Sequence, residues 1–306
     1  MRTIKLFIAS IIFSTVIFNV NAQIDRAIQR GVERSVEKKI EQETTKAPDK
    51  AFEQTEEERA KGEEKAVKAI EAYKVQQEND ALTTNISDEI PEVSNTPYTP
   101  SESEYTFFAM KAGAVQEFVT KDEKGKITGQ LRNTITGITG NKNAFAIAYQ
   151  SEILDAKGKP TNKDNPMILN YRVVVKEDLM YLDMKGMFGA MEGLEDVQAM
   201  GTAMKIPNKL SVGQTLDDAS VKVKIGFINC TTVTTEGKCL AIEDVTVEAG
   251  TFKCYKVSQK TNATAMGIKS EGTTLTWYAK GVGAVKTETY DKKGKLQSTQ
   301  ELKSNL

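Results

Sequence analysis

No histidine occurs anywhere in the 306-residue chain. Imidazole is the usual proton carrier near neutral pH and a common ligand of zinc and iron. Its absence excludes Ser-His and Cys-His catalytic pairs, a His proton shuttle and His-ligated metal centres. An excess of charge of one sign is lacking too: 41 Lys and Arg stand against 42 Asp and Glu, a formal net charge of −1. No overall field therefore draws the chain to nucleic acid. Cysteine is sparse at three, tryptophan occurs once and proline seven times. The hydrophobic fraction of 39% lies below the roughly 45–50%, glycine included, of packed globular chains, so part of the molecule is expected to remain solvated. Beyond the N-terminus no apolar run approaches the ~20 residues of a membrane-spanning helix. Walker and dinucleotide glycine patterns are missing, and no cofactor is implied.

What is present begins with an address. Residues 1–22 open with Met-Arg-Thr-Ile-Lys, continue through an apolar stretch over 6–18 and end Val20-Asn21-Ala22, the three regions of a secretory signal cleaved before Gln23. A retained membrane helix is the alternative, but the apolar stretch is short for one. With no cysteine beside the cleavage site, the expected product is exported, periplasmic or secreted, and soluble or peripheral. Oxidising compartments permit disulfides, and an odd cysteine count leaves one thiol over. Cys230 and Cys239 form the candidate pair, closing 231–238 around a turn at Glu236-Gly237 with an irregular loop; whether they bond stays open. Cys254 reads as a buried apolar thiol.

The remainder divides by composition. Residues 23–80 are rich in Ala, Glu, Lys and Arg and predict a charged helical arm. Ile24, Ile28, Val32, Val36 and Ile40 make a narrow apolar stripe with Arg26, Arg30, Arg34, Lys38 and Lys39 beside it. Such a helix suits self-association as a coiled coil or loose packing on the next domain; peripheral membrane contact through 24–43 is the other reading. Residues 81–103, with Pro91, Pro97 and Pro100, read as a disordered linker. From 104 to 306 the composition turns to Thr, Val, Ile, Phe and Tyr, with period-two runs at 115–120, 145–153, 169–175, 222–227, 252–258 and 273–278 that predict antiparallel strands. Three copies of one turn, Asp122-Glu-Lys-Gly-Lys126, Asp155-Ala-Lys-Gly-Lys159 and Asp291-Lys-Lys-Gly-Lys295, separate them, with further turns at 235–238 and 248–251.

One stretch interrupts this pattern. Six of the ten methionines lie within 180–204, and Met180, Met184, Met187 and Met191 recur at helical spacing near Phe188, with Met204 at the end. Methionine conforms to varied apolar shapes, so a Met-rich flap over the concave side of the sheet would suit a hydrophobic ligand such as an acyl chain. A permanent plug of ordinary core is the plainer reading. Gly186, Gly189, Gly193 and Gly201 break the segment, leaving it as the non-strand piece expected to cover the sheet. Glu192, Glu195 and Asp196 are acidic enough for calcium but read more simply as a solvated edge, so no metal site is predicted.

The last third carries longer motifs: Val247-Glu-Ala-Gly-Thr-Phe-Lys-Cys-Tyr-Lys256, Trp277-Tyr-Ala-Lys-Gly-Val-Gly-Ala-Val-Lys-Thr-Glu288 and Tyr290-Asp-Lys-Lys-Gly-Lys-Leu296, with Asn208-Lys-Leu-Ser-Val-Gly-Gln-Thr-Leu216 before them. Across about 104–306 the chain resembles the exported bacterial TapB-like family of unknown function. The resemblance implies a mainly β fold, a curved antiparallel sheet or incomplete β-barrel similar to lipoprotein-carrier and lipocalin-like half barrels. It assigns no catalytic residue.

The expected function is accordingly a non-enzymatic envelope protein that binds a hydrophobic small molecule or an envelope protein partner. A ligand-free structural scaffold is the alternative. A hydrolase without histidine would need paired carboxylates or a Ser-Lys dyad, and the one Ser-x-x-Lys spacing considered, Ser35 to Lys38, falls on the polar arm.

Overall fold

The computed structural model describes residues 89–161, 166–183, 198–225, 228–265 and 268–306. The predicted signal segment 1–22 and helical arm 23–80 lie outside the described residues. So do Met184, Met187, Phe188 and Met191, and the acidic trio Glu192, Glu195 and Asp196.

Extended chain places successive side chains on opposite faces, and β-branched residues fill those faces well. Thirteen strands form among the described residues: β1 Val115–Asp122, β2 Ile127–Asn141, β3 Ala144–Leu154, β4 Ile168–Lys176, β5 Leu179–Asp183, β6 Gln198–Thr202, β7 Lys205–Pro207, β8 Ala219–Ile225, β9 Ile228–Val247, β10 Gly250–Ala265, β11 Ile268–Ala279, β12 Gly283–Asp291 and β13 Leu296–Asn305. They join in one antiparallel sheet of order β6-β8-β9-β10-β11-β12-β13-β1-β2-β3-β4-β5-β7. The predicted runs fall on β1, β3, β4, β8, β10 and β11, the fourth over 222–225, its last two residues lying outside the described ones.

The three Asp-Gly-Lys turns share one geometry. In the first, Asp122 Oδ1 accepts the backbone amides of Lys124 and Lys126, both at 2.9 Å. Asp155 accepts those of Lys157 and Lys159 at 2.8 and 2.9 Å, and Asp291 those of Lys293 and Lys295 at 2.8 and 3.0 Å. Gly125, Gly158 and Gly294 supply the positive φ, at 78°, 74° and 76°, that closes each hairpin.

The sheet curls. Its two terminal strands, β6 and β7, are consecutive in sequence and separated only by Ala203 and Met204, so the chain itself links one edge to the other. Leu182 N donates to Met204 O at 3.2 Å across this seam. Glu89 straps it, accepting from Ala203 N at 3.3 Å and pairing with Lys205 Nζ at 3.2 Å. Inside, Ile135, Ile147, Val173 and Met180 of β2–β5 share one buried cluster with Cys239 and Val257 of β9 and β10, although four strands lie between β2 and β10 in the sheet.

Two non-strand segments fill this interior. Residues 105–114 contribute Phe107, Ala109 and Met110, and 208–218 contribute Leu210 and Leu216. Phe107 meets Tyr255 edge-on at 5.0 Å. The backbone can approach closely here because Gly281 carries no side chain: a Cβ there would lie 2.7 Å from the Tyr105 ring. Residues 180–204 are therefore not the sole cover for the sheet. Nor does Met180 begin a helix. It lies in β5, where Met180 and Leu182 line the inner cavity and Tyr181 and Asp183 occupy the alternate positions; pairing with β4 outweighs the helical spacing of the methionines.

Three further expectations change. Residues 89–103, read as linker, lie along the sheet instead: Tyr98 N donates to Ile138 O at 3.0 Å, Gly140 N to Thr96 O at 2.8 Å, and the Tyr98 ring stands 5.6 Å from Phe145. The 235–238 turn is a bulge within β9, with Glu236 at φ 53°. Leu216 N bonds Gly237 O, and Cys239 N bonds Gln214 O, so the 208–218 loop engages the bulge and the strand runs on. That continuity separates the candidate disulfide partners, since Cys230 and Cys239 sit nine residues apart on one strand, on the order of 30 Å at ~3.3 Å per residue. Cys239 is a free buried thiol, as is Cys254.

A second, smaller core forms on β10, β11 and β12, on the outer face of the sheet. Cys254, Trp277, Ala279 and Val285 are buried there, with Val245, Val247 and Phe252 of the β9–β10 ribbon packed against them. Trp277 Nε1 donates to Glu243 Oε1 at 2.6 Å, and Lys256 and Lys286 stand 4.8 and 5.1 Å from its ring.

Candidate ligand cavity

Curling leaves a cavity of about 170 Å³ between the walls of the sheet. One wall comes from β3, β4, β5 and β7, with the link before β7. It presents Tyr149, Tyr171, Met180, Leu182, Met204 and Ile206. Tyr149 and Tyr171 stack at 5.0 Å with 5° between their planes. Desolvation pushes the Tyr171 hydroxyl up to about 12 and the Tyr149 hydroxyl upward as well, so both phenols are neutral at physiological pH.

The facing wall comes from β9 to β13; its described residues are uncharged and mostly polar, with Tyr278, Val282 and Ala284 as the apolar members. Thr234, Gln259, Thr261, Thr274, Thr276 and Gln300 line it, and Gln116 of β1 joins them. Among the described residues neither wall carries an Asp, Glu, Lys or Arg side chain. Alternation explains the placement: Thr276 pairs with Thr287 across β11 and β12, Thr287 with Gln300 across β12 and β13, and Gln300 with Thr120 across β13 and β1. One row of inward positions on four adjacent strands is thus hydroxyl or amide.

Several polar groups of the lining are satisfied within the protein. Gln116 Nε2 donates to Val282 O at 2.9 Å and Asn305 Oδ1 at 3.1 Å. Ser151 Oγ donates to Asn133 Oδ1 at 2.6 Å and also bonds Tyr171. Gln300 Nε2 reaches Thr120 Oγ1 at 3.4 Å. Two lining hydroxyls are different. Thr234 Oγ1 and Thr274 Oγ1 are buried and have no hydrogen-bond partner.

Of the six predicted ligand-binding residues, Met180 and Met204 line this cavity; the other four lie outside the described residues. The polar wall was missed, because isolated threonines in alternating strands look like solvent-facing positions. The signal available was the excess of hydroxyl and amide residues on both faces of β9 to β13, more than one wet face requires. Chemically, the described lining residues offer no group that exchanges a proton near neutral pH. Among the described residues no three acidic or sulfur side chains converge on a possible metal position.

The sheet is similar to those of two crystal structures. One is a protein of Bacteroides fragilis described as exported and as having a YmcC-like fold: 21% identical, TM-score 0.55, covering 66% of this chain and 99% of its own. The other is a protein of Parabacteroides distasonis described as a lipoprotein, at 20% identity, TM-score 0.55 and the same coverage. These define a fold class, the YmcC-like curved sheet. The chain belongs to the DUF3108-like family, whose model matches residues 111–302, more than half of its length. No curated protein matches it.

Proposed function

We propose that this is an exported, non-enzymatic envelope protein whose curled sheet holds a small hydrophobic or amphipathic molecule. The observation that carries the reading is the 170 Å³ cavity framed by strands from nearly the whole sheet and lined, among the described residues, without a charged side chain. A cavity of similar size lined by apolar residues accepts a benzene-sized guest. A ring, a short chain or the end of a longer acyl group meets that limit; a whole long-chain acid does not. The lack of acid-base groups in the lining favours carriage over catalysis, and the N-terminal signal favours export. The half-barrel likeness to lipoprotein carriers and lipocalins belongs to the same proposal. Native mass spectrometry of protein purified from its own envelope tests it: a reproducible mass increment, lost on extraction, is expected. Protein that carries no adduct and binds no small apolar probe after extraction would instead be a scaffold or a partner-binding module.

A further inference from the structure

The two cavity walls differ in chemistry, and the difference selects a ligand. An apolar occupant would leave the Thr234 and Thr274 hydroxyls as they stand, 2% and 6% exposed and unpartnered. A buried polar group without a partner is unfavourable, and isosteric replacement by an apolar group relieves it. Gln116, Asn133, Ser151 and Gln300 in the same lining are paired, so two unpartnered hydroxyls on one wall call for a cause. Thr234 faces Thr261 across β9 and β10, and Thr274 faces Gln259 across β10 and β11. The two threonines thus stand two strands apart and two residues out of register, about 12 Å along the sheet.

An anion finds nothing here. With no Lys or Arg among the described lining residues, a buried carboxylate or phosphate would lose its hydration without an ion-pair partner. A cation finds no counter-charge either, because no carboxylate is among the described lining residues. What complements the walls is an uncharged molecule with one apolar side, to lie along Tyr149, Tyr171 and Met180, and hydroxyl or carbonyl groups on the other. We propose that the cavity is a site for a neutral, hydroxyl-bearing ligand, a single sugar ring or the glycerol end of a neutral lipid, held through Thr234 and Thr274. This inference rests on the ligand-binding reading above and narrows it.

The test uses the mature full chain stripped of co-purifying molecules and four probes of comparable size followed by ligand-observed NMR: methyl β-glucoside, 1-monobutyrin, hexanoate and toluene. At least one of the first two should bind, and which one identifies the source as sugar or glycerolipid. Hexanoate should bind at least tenfold more weakly. The double variant Thr234→Val, Thr274→Val should lose at least tenfold in affinity for the neutral hydroxylated probe with its melting temperature unchanged or raised, and Thr234→Ser, Thr274→Ser should restore binding. Hexanoate binding as tightly, or valine variants binding as the parent does, would overturn the proposal. A valine variant that melts lower without losing affinity would do the same, since the hydroxyls would then serve the fold. Toluene binding alone sinks this inference and leaves the ligand reading standing, whereas binding of no probe sinks both.

Discussion

The inner and outer faces of the same strands are both polar, in different ways. On β1, β2, β3 and β13 the outward positions are charged and cross-linked: Lys121 to Glu301 at 2.6 Å, Arg132 to Glu117 at 3.1 Å and to Glu152 at 2.9 Å, Lys303 to Glu117 at 3.7 Å. Their neighbours one residue away, Gln116, Thr120, Asn133, Ser151 and Gln300, are buried and uncharged. Water screens and solvates the outer ions, while an inner ion would have neither water nor counter-charge. Polarity alone does not say which face of a strand is wet; the kind of polarity does.

If the inner face supplies the stability, its apolar anchors should dominate every mutational comparison. Phe107 is fully buried at the junction of the inserted 105–114 segment and the β10–β11 wall. Phe107→Ala should cost about 3–5 kcal/mol, read by denaturant unfolding, from lost burial and the cavity left behind. A cost under about 1 kcal/mol would show that 105–114 is a replaceable cover rather than core.

The inserted segment is preceded by the strap, and its worth is separable. A chain starting at residue 89 keeps the Glu89–Lys205 pair, the Tyr98–Ile138 bond and the Thr96–Gly140 bond; one starting at 104 loses all three. The shorter chain should melt several degrees lower, with the loss concentrated at the β6–β7 seam in hydrogen exchange. Equal melting would return 89–103 to the status of linker.

How much of this was legible in the sequence follows from the range of the signals. The Asp-Gly-Lys hairpins and six strands were readable because turn chemistry and alternation act over a few residues. The 235–238 Glu-Gly step carries the same local signal, yet it became a bulge because Leu216 and Gln214, some twenty residues away, bond to it. Met180 was misread for a related reason: spacing along the chain competed with a strand partner that periodicity cannot see. The two cavity methionines were found by composition, whereas Thr234 and Thr274 needed the curl of the sheet, a consequence of β6 and β7 being sequence neighbours at opposite ends of the strand order.

The small outer core offers an intermediate test, because its tryptophan joins both kinds of polarity. Trp277→Phe keeps a ring between Lys256 and Lys286 but removes the donor to the Glu243 carboxylate. A loss of about 1.5–3 kcal/mol is expected, as for a hydrogen bond to a charged group, and Glu243→Gln should recover little of it in the Phe background. In the same core Cys254 provides a chemical readout. Burial, with Asp244 and Glu243 nearby, pushes its thiol up to about 11 from the ordinary 9.0. The fold therefore prefers the protonated thiol, and this contribution to stability falls as pH rises from 9 through 11. At pH 8 only about one thiol in a thousand is ionised, so alkylation of the native protein should be slow and should become fast on unfolding. Rapid labelling of Cys254 in the folded protein would mean that the β9–β10 ribbon lifts off the tryptophan.

The smallest effect belongs to the outer face. Arg132 bridges carboxylates on the strands to either side, but its side chain is 40% exposed, and exposed ion pairs contribute about 0–1 kcal/mol once the entropy of holding long side chains is counted. Arg132→Ala should therefore lower stability by less than about 1 kcal/mol, and the difference from the parent should shrink in about 1 M salt, where the Debye length is about 3 Å. A larger, salt-independent loss would show that the guanidinium clamps β1, β2 and β3 through its geometry. The curvature that brings the two cavity walls together would then depend on the charged face as well as on the buried one.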